Sequence, residues 1–180
     1  MDRRAGSSDT SGAARPPQRE LPVAIREGRL ADAAAATRVG VAAWEKGPGS
    51  VLPSSARAPM ADGKMLETLL RQTPGRILVA DVGGHVLGLA VGDADGEQLT
   101  DLWVDPRAWG RGLGSRLLAA FEQAAGERGR KRIVIDVLEG DERGLGFCRR
   151  RGYQAVGRST VRDRDLHMMI GKIRLEKRLA

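Results

Sequence analysis

The segment Leu102-Trp103-Val104-Asp105-Pro106 runs on through Trp109-Gly110-Arg111-Gly112-Leu113-Gly114-Ser115 into Leu117-Leu118, joining an apolar strand to a helix through a glycine-rich turn. A helix start leaves backbone N–H groups unpaired and carries the positive end of the peptide dipole, so main chain alone can hold a phosphate there. Glycines in the turn let that phosphate approach closely. Two familiar phosphate loops fail against this spacing. A dinucleotide fingerprint needs G-x-G-x-x-G, but counting from Gly110 or Gly112 puts Ser115 or Leu117 in the third place, and no Gly-Lys-Ser/Thr exists for a P-loop.

A second segment follows: Ile133-Val134-Ile135-Asp136-Val137, then Asp141-x-x-Gly144-x-x-Phe147-Cys148-x-x-x-Gly152-Tyr153. Together the two segments resemble the GCN5-related N-acetyltransferases (GNAT), whose signature is V-x-P, then [Q/R]-x-x-G-x-[G/A], and later N-x-x-A-x-x-[LF]-Y-x-x-x-G-[FY]. Val104-Asp105-Pro106 and Gly112-Leu113-Gly114 match. Trp109 fills the Gln/Arg slot, so that polar phosphate contact is either absent or supplied by Arg111. Asp141 stands in the Asn slot, Gly144 in the Ala slot and Cys148 in the slot where many members carry Tyr. The resemblance covers residues 22–175. It implies an α/β fold with a mixed, splayed β-sheet flanked by helices, and acetyl-CoA as co-substrate. The implied cofactor-binding residues are Leu102, Trp103, Val104, Gly110, Arg111, Gly112, Leu113, Gly114, Ser115 and Asp141. It further implies an amine-bearing acceptor, and a homodimer among the partners, because many relatives pair through their later strands.

Composition agrees with one compact domain. At 180 residues and 41% hydrophobic the chain can bury a substantial core. The expected division is a disordered tail over 1–20, rich in Gly, Ser, Ala, Arg and Pro, and an N-acetyltransferase domain over 21–180. No apolar run approaches the ~20 residues of a membrane span, and the tail lacks the apolar centre of a secretory signal. One cysteine permits no intrachain disulfide, which suits a cytoplasmic location. The net charge of +7 raises nucleic acid as a partner, but the basic residues are scattered and only 3% of the chain is aromatic, which argues against stacking on bases. Neither His85 nor His167 has ligand spacing around it, so no metal is expected.

Periodicity predicts a strand at Val23–Arg26, a helix over Leu30–Trp44, a break over Lys46–Pro59 and a helix over Met60–Gln72. Strands at Arg76–Asp81 and His85–Val91 flank Gly83-Gly84, a tight-hairpin signal. A strand at Leu99–Val104, a helix from Gly112, a strand at 133–138, a helix at 142–151 and strands near 153–158 and 165–173 complete an α/β layer structure.

Acetyl transfer to an amine needs a base for the amine and benefits from an acid for the departing thiolate. Asp136 is the first candidate base: an acid inside an otherwise apolar strand, where burial would raise its pKa. It also sits five residues before the Asn slot, where the family's protein N-terminal acetyltransferases carry a catalytic glutamate. Asp101, sharing a strand face with Leu99 and Trp103, is the rival. Cys148 is the candidate acid, because a free thiol of pKa ~8.5 would make proton transfer to a thiolate nearly isoenergetic, unless Arg149, Arg150 and Arg151 depress it. The same three arginines otherwise read as a contact to the nucleotide 3′-phosphate or as a solvated face, and the solvated face is favoured. The expected activity is acetyl-CoA-dependent N-acetyl transfer to a primary amine of a small molecule, peptide or protein. A catalytically weak acyl-CoA-binding regulatory module is the alternative, suggested by Trp109 and Cys148.

Overall fold

The computed structural model describes residues 22–53, 64–72, 75–163 and 166–179; the predicted tail over 1–20 lies outside them, as does the 60–63 start of the second predicted helix. The elements in chain order are β1 (Val23–Glu27), α1 (Ala33–Lys46), α2 (Lys64–Gln72), β2 (Ile77–Val82), β3 (His85–Gly92), β4 (Gln98–Val104), α3 (Leu113–Glu127), β5 (Arg132–Leu138), α4 (Glu142–Arg149), β6 (Gln154–Asp163) and β7 (Met168–Arg178). Seven strands form one sheet in the order β1-β2-β3-β4-β5-β7-β6. Only β4 and β5 run parallel; every other neighbouring pair is antiparallel.

The sheet separates two apolar layers. On one face α3 buries Leu113, Leu117, Leu118, Phe121 and Ala125, the 3.6-residue stripe expected of a core helix, against Ile133, Ile135 and Val137 of β5. Each such leucine contributes roughly 1.5–3 kcal/mol by leaving water. The other face carries α1 and α2 over Val79, Leu89 and Val91. Gly83 and Gly84, both at positive φ, close the β2–β3 hairpin with Val82 opposite His85.

Several boundaries differ from the sequence reading for physical reasons. The predicted Leu30–Trp44 helix opens with a tight 3₁₀ turn, Leu30–Asp32, because Asp32 is held by Arg26, whose guanidinium also reaches Asp81. The last helix stops at Arg149, where Gly152 at φ +86° lets the Tyr153 amide return to the Cys148 carbonyl. β6 and β7 outrun their predicted spans: nine of the ten β6 residues are exposed, so no apolar alternation marks that strand.

One irregularity positions the site. In the β3–β4 ladder Val91 faces Asp101 and Gly92 faces Leu99, leaving Thr100 as an extra residue. Parity is reversed across this bulge. Leu99, Leu102 and Val104 pack with the α3 layer, while Trp103 packs with the α1 layer. The expectation that Leu99, Asp101 and Trp103 share one face is therefore corrected: the bulge turns Asp101 and Trp103 together toward α1.

Among the described residues no helix is long and apolar enough to cross a membrane, and no cluster of three metal-ligating side chains occurs.

Candidate active site

β4 and β5 are paired only at Gln98↔Val134 and Leu99↔Ile135; past that point they diverge. The gap is a cleft of about 740 Å³ lined by the later residues of both strands, by the start of α3 and by α4. Its β4 wall offers main-chain groups. The Asp105 amide donates to the Leu87 carbonyl of β3, and peptide groups alternate sides along a strand. Trp103 therefore also turns its peptide to β3, and its carbonyl lies against Gly88, while Leu102 and Val104 turn theirs into the gap. All three border the cleft, Leu102 and Val104 with their peptide groups turned inward and Trp103 with its peptide turned to β3.

At one end of the gap lies the glycine turn. Gly110 and Gly112 sit at φ +78° and +77°, and a Cβ built on either would meet nothing within 4 Å, so the space above them is open. The first amide of α3 to find a carbonyl is Arg116, on Gly112; the amides of Leu113, Gly114 and Ser115 precede it at the positive end of the helix. Gly114 lets α4 approach: its Cβ position is 3.3 Å from the Phe147 ring. The Ser115 hydroxyl accepts from Arg151, whose guanidinium also stacks on Phe147 and donates to its carbonyl. Arg151 is thus half-buried and ties α4 to α3, while Arg149 and Arg150 are exposed. Asp141 caps α4, accepting the Gly144 amide at 2.9 Å, and borders the cleft. Arg111 is exposed and is not part of the lining.

The two candidate carboxylates lie in opposite electrostatic surroundings. Asp136 lies across from Arg174 on β7 and receives two hydrogen bonds from it, both 2.8 Å, with a third from Gln98. The Arg174 guanidinium holds the Asp136 carboxyl below its usual range, against the opposing effect of burial. The expected upward shift is overturned, because a cross-strand arginine outweighs desolvation. Asp101 shows the opposite balance. It is surrounded by neutral donors: the Trp103 indole N–H at 3.1 Å from Oδ1 and the Thr100 hydroxyl at 2.9 Å from Oδ2. Burial pushes its pKa up, and the more distant Lys172 charge only partly offsets this. No salt bridge reaches Asp101 among the described residues.

The Thr100 oxygen also stands 3.0 Å from the Val91 carbonyl, which can only accept. A hydroxyl so placed donates to the carboxylate when Asp101 is charged; when Asp101 carries a proton, it accepts from the acid and donates to Val91. Either protonation state keeps its hydrogen bonds. Trp44 of α1 meets Trp103 edge-on, ring centroids 6.1 Å apart, and walls this end of the cleft.

Cys148 lines the cleft but is only 4% exposed, and burial pushes its thiol up to about 11. The expectation of a near-isoenergetic proton donor is corrected, as is that of arginine-driven depression: the Arg151 charge is outweighed by desolvation. Giving a proton to a thiolate of conjugate pKa ~8.5 would run uphill by roughly 3 kcal/mol. Cys148→Ala is expected to keep kcat within about twofold while lowering unfolding free energy by about 1 kcal/mol, read by steady-state thiol release and thermal unfolding. A tenfold drop in kcat in a folded variant would restore the thiol to the chemistry.

Sequence reasoning missed Trp44, Thr100 and Arg143. Trp44 and Arg143 belong to other elements, and no local pattern couples them to the turn at 109–115.

A gap opened in the middle of a sheet, with inward peptide groups along one wall and a glycine-lined helix start at one end, defines an α/β domain whose cleft suits an extended, phosphate-bearing ligand. The model for the acetyltransferase (GNAT) family matches residues 41–153. An acetyltransferase of Pectobacterium atrosepticum is 30% identical over 115 residues, 59% of this chain and 82% of that protein. The solved structure of a GCN5-related N-acetyltransferase from Rhodopseudomonas palustris aligns with a TM-score of 0.76 at 26% identity, covering 89% of this chain and 98% of that one. An N-acetyltransferase from Thermoplasma acidophilum, solved in complex with coenzyme A, aligns with a TM-score of 0.71 at 15% identity over 88% and 100% of the two chains. The chain belongs to the GNAT acetyltransferase family.

Proposed function

We propose that the protein is an acetyl-CoA-dependent N-acetyltransferase acting on a primary amine, with Asp101 as its base. The observation that carries this reading is the separation of β4 from β5 immediately after Leu99 and Ile135, opening onto the unpaired amides of Leu113, Gly114 and Ser115. The donor set fits the cofactor. Those amides suit a pyrophosphate, and the inward peptide group of Leu102 and the Val104 amide suit the amides of a pantetheine arm, the Val104 carbonyl being taken by the Trp109 indole. When bound, acetyl-CoA supplies an acetyl group already activated as a thioester.

The chain's own residues then do three things. The main chain of β4 and the start of α3 fix the thioester along the gap, and such positioning is worth ~7–11 kcal/mol where reacting atoms are aligned. Asp101, with its raised pKa, takes the proton from an incoming ammonium and frees the lone pair for attack on the acetyl carbon. Trp44 and Trp103 wall this end of the cleft and shield the carboxylate from water, and that burial raises its pKa. As the tetrahedral adduct collapses, its nitrogen gives its second proton to solvent, and the thiolate leaves without a side-chain acid and takes its proton from solvent.

The test combines calorimetric titration of acetyl-CoA with thiol release across a panel of primary amines. Micromolar binding and amine-dependent release are expected. Binding without release from any amine leaves an acyl-CoA-binding module. No binding at millimolar ligand removes both.

A further inference from the structure

Arg143, in the first turn of α4, lies with its guanidinium carbon 3.1 Å from the centre of the Trp109 ring. The indole is itself fixed at its edge, Nε1 donating to the Val104 carbonyl at 2.7 Å. Trp109 is thus held on edge and face, and the pair spans from the turn before α3 to the start of α4, with both residues lining the cleft. A guanidinium held over a ring face by its carbon leaves N–H donors at its edge to reach other partners. Among the described residues none of the Arg143 donors is engaged by a carboxylate or a carbonyl; Asp141 acts on it through charge alone. The other cations nearby are differently disposed. Arg151 is committed to Ser115 and the Phe147 carbonyl, Arg111 is outside the lining, and Arg150, which also lines the cleft, is exposed and is not held on a ring.

We infer that Arg143, pinned on Trp109, is the side-chain cation that grips the cofactor's pyrophosphate, standing in for the polar residue absent at position 109. Trp109 is then a positioning residue that acts through Arg143. The indole does not obstruct the loop, since the space over Gly110 and Gly112 is open. The inference rests on the acetyl-CoA reading above, and the test separates the two.

Acetyl-CoA, 3′-dephospho-acetyl-CoA and acetyl-pantetheine are titrated calorimetrically into the wild type, Arg143→Ala, Trp109→Ala and Trp109→Phe. Arg143→Ala should weaken both nucleotide-bearing thioesters equally, by about 10- to 100-fold, the loss of one charge-assisted contact, and leave acetyl-pantetheine unchanged. Trp109→Ala should behave likewise and add little in the double variant. Trp109→Phe, which keeps a ring face, should stay within a few-fold of wild type and guards against a folding defect in the alanine variant. Wild-type affinity of Arg143→Ala for acetyl-CoA overturns the inference. So does a loss that disappears with the 3′-dephospho ligand, because the cation would then serve the ribose phosphate. If the wild type binds none of the three, the acetyl-CoA reading itself fails and the inference fails with it.

Discussion

Gly112→Asp is expected to weaken acetyl-CoA binding by roughly 100- to 1000-fold while leaving the protein folded. The backbone there sits at φ +77°, where aspartate is among the better-tolerated L residues, at a cost of about 1–2 kcal/mol. A Cβ would meet no atom within 4 Å, and aspartate is a favoured residue at the N-cap of a helix, the position Gly112 holds before α3. The carboxylate would lie beside the unpaired amides of Leu113 to Ser115, occupying the anion site from within. At ~4 Å and an effective dielectric near 20, repulsion of one phosphate charge costs about 4 kcal/mol. Gly112→Ala carries the backbone strain without the charge and should lose less than tenfold. Calorimetric titration of both variants, with thermal unfolding as control, checks the pair. Equal losses in the two would reduce the effect to strain, and normal affinity in Gly112→Asp would remove the loop from the site.

That loop was legible because its determinants are contiguous. The strand, the positive-φ glycines and the apolar stripe of α3 lie within Gln98–Ala125, and local rules read them directly. The helix layers and most strands were legible for the same reason. What the sequence left obscure depends on residues far apart in the chain. The Asp136 carboxylate in an apolar strand invited a raised pKa; its shift is set by Arg174, 38 positions away and opposite it on β7. Cys148 invited a comparison with free thiols, but Leu145, Tyr153 and the α3 layer bury it. The Thr100 bulge decided that Asp101 faces α1 together with Trp103, and one extra residue in one strand leaves no mark in a period-2 pattern. The exposure of β6 on both faces erased the alternation that announces a strand.

Asp101→Asn should lower kcat by about 100- to 1000-fold, within the range removed with a general base, and leave acetyl-CoA affinity unchanged because the phosphate cradle lies at the other end of the cleft. The amide is isosteric: its oxygen can accept from the Trp103 indole, and its NH₂ can donate to the Thr100 hydroxyl, which then donates to Val91. The same variant should be more stable than wild type at neutral pH. Burial favours the neutral form of Asp101, so its folded pKa exceeds the unfolded one. The stabilisation from that difference is fully present below the unfolded pKa near 3.9 and is lost as pH rises through the folded value. Above its folded pKa the wild type carries a desolvated charge that the asparagine lacks. Asp136→Asn is the counterpart with the opposite sign. Its folded pKa is lowered by Arg174, so its contribution is present above the unfolded pKa and is lost as pH falls through the folded one. With Arg174 half-exposed, that variant should lose only about 0.5–1 kcal/mol at pH 7 and keep kcat within a few-fold. The acid limb of the pH–kcat profile should vanish in Asp101→Asn and persist in Asp136→Asn. Retained turnover in the first alongside collapse in the second would return the base to β5, and the two thermal-unfolding shifts, up for one acid and down for the other, read the balance of burial against pairing independently of the chemistry.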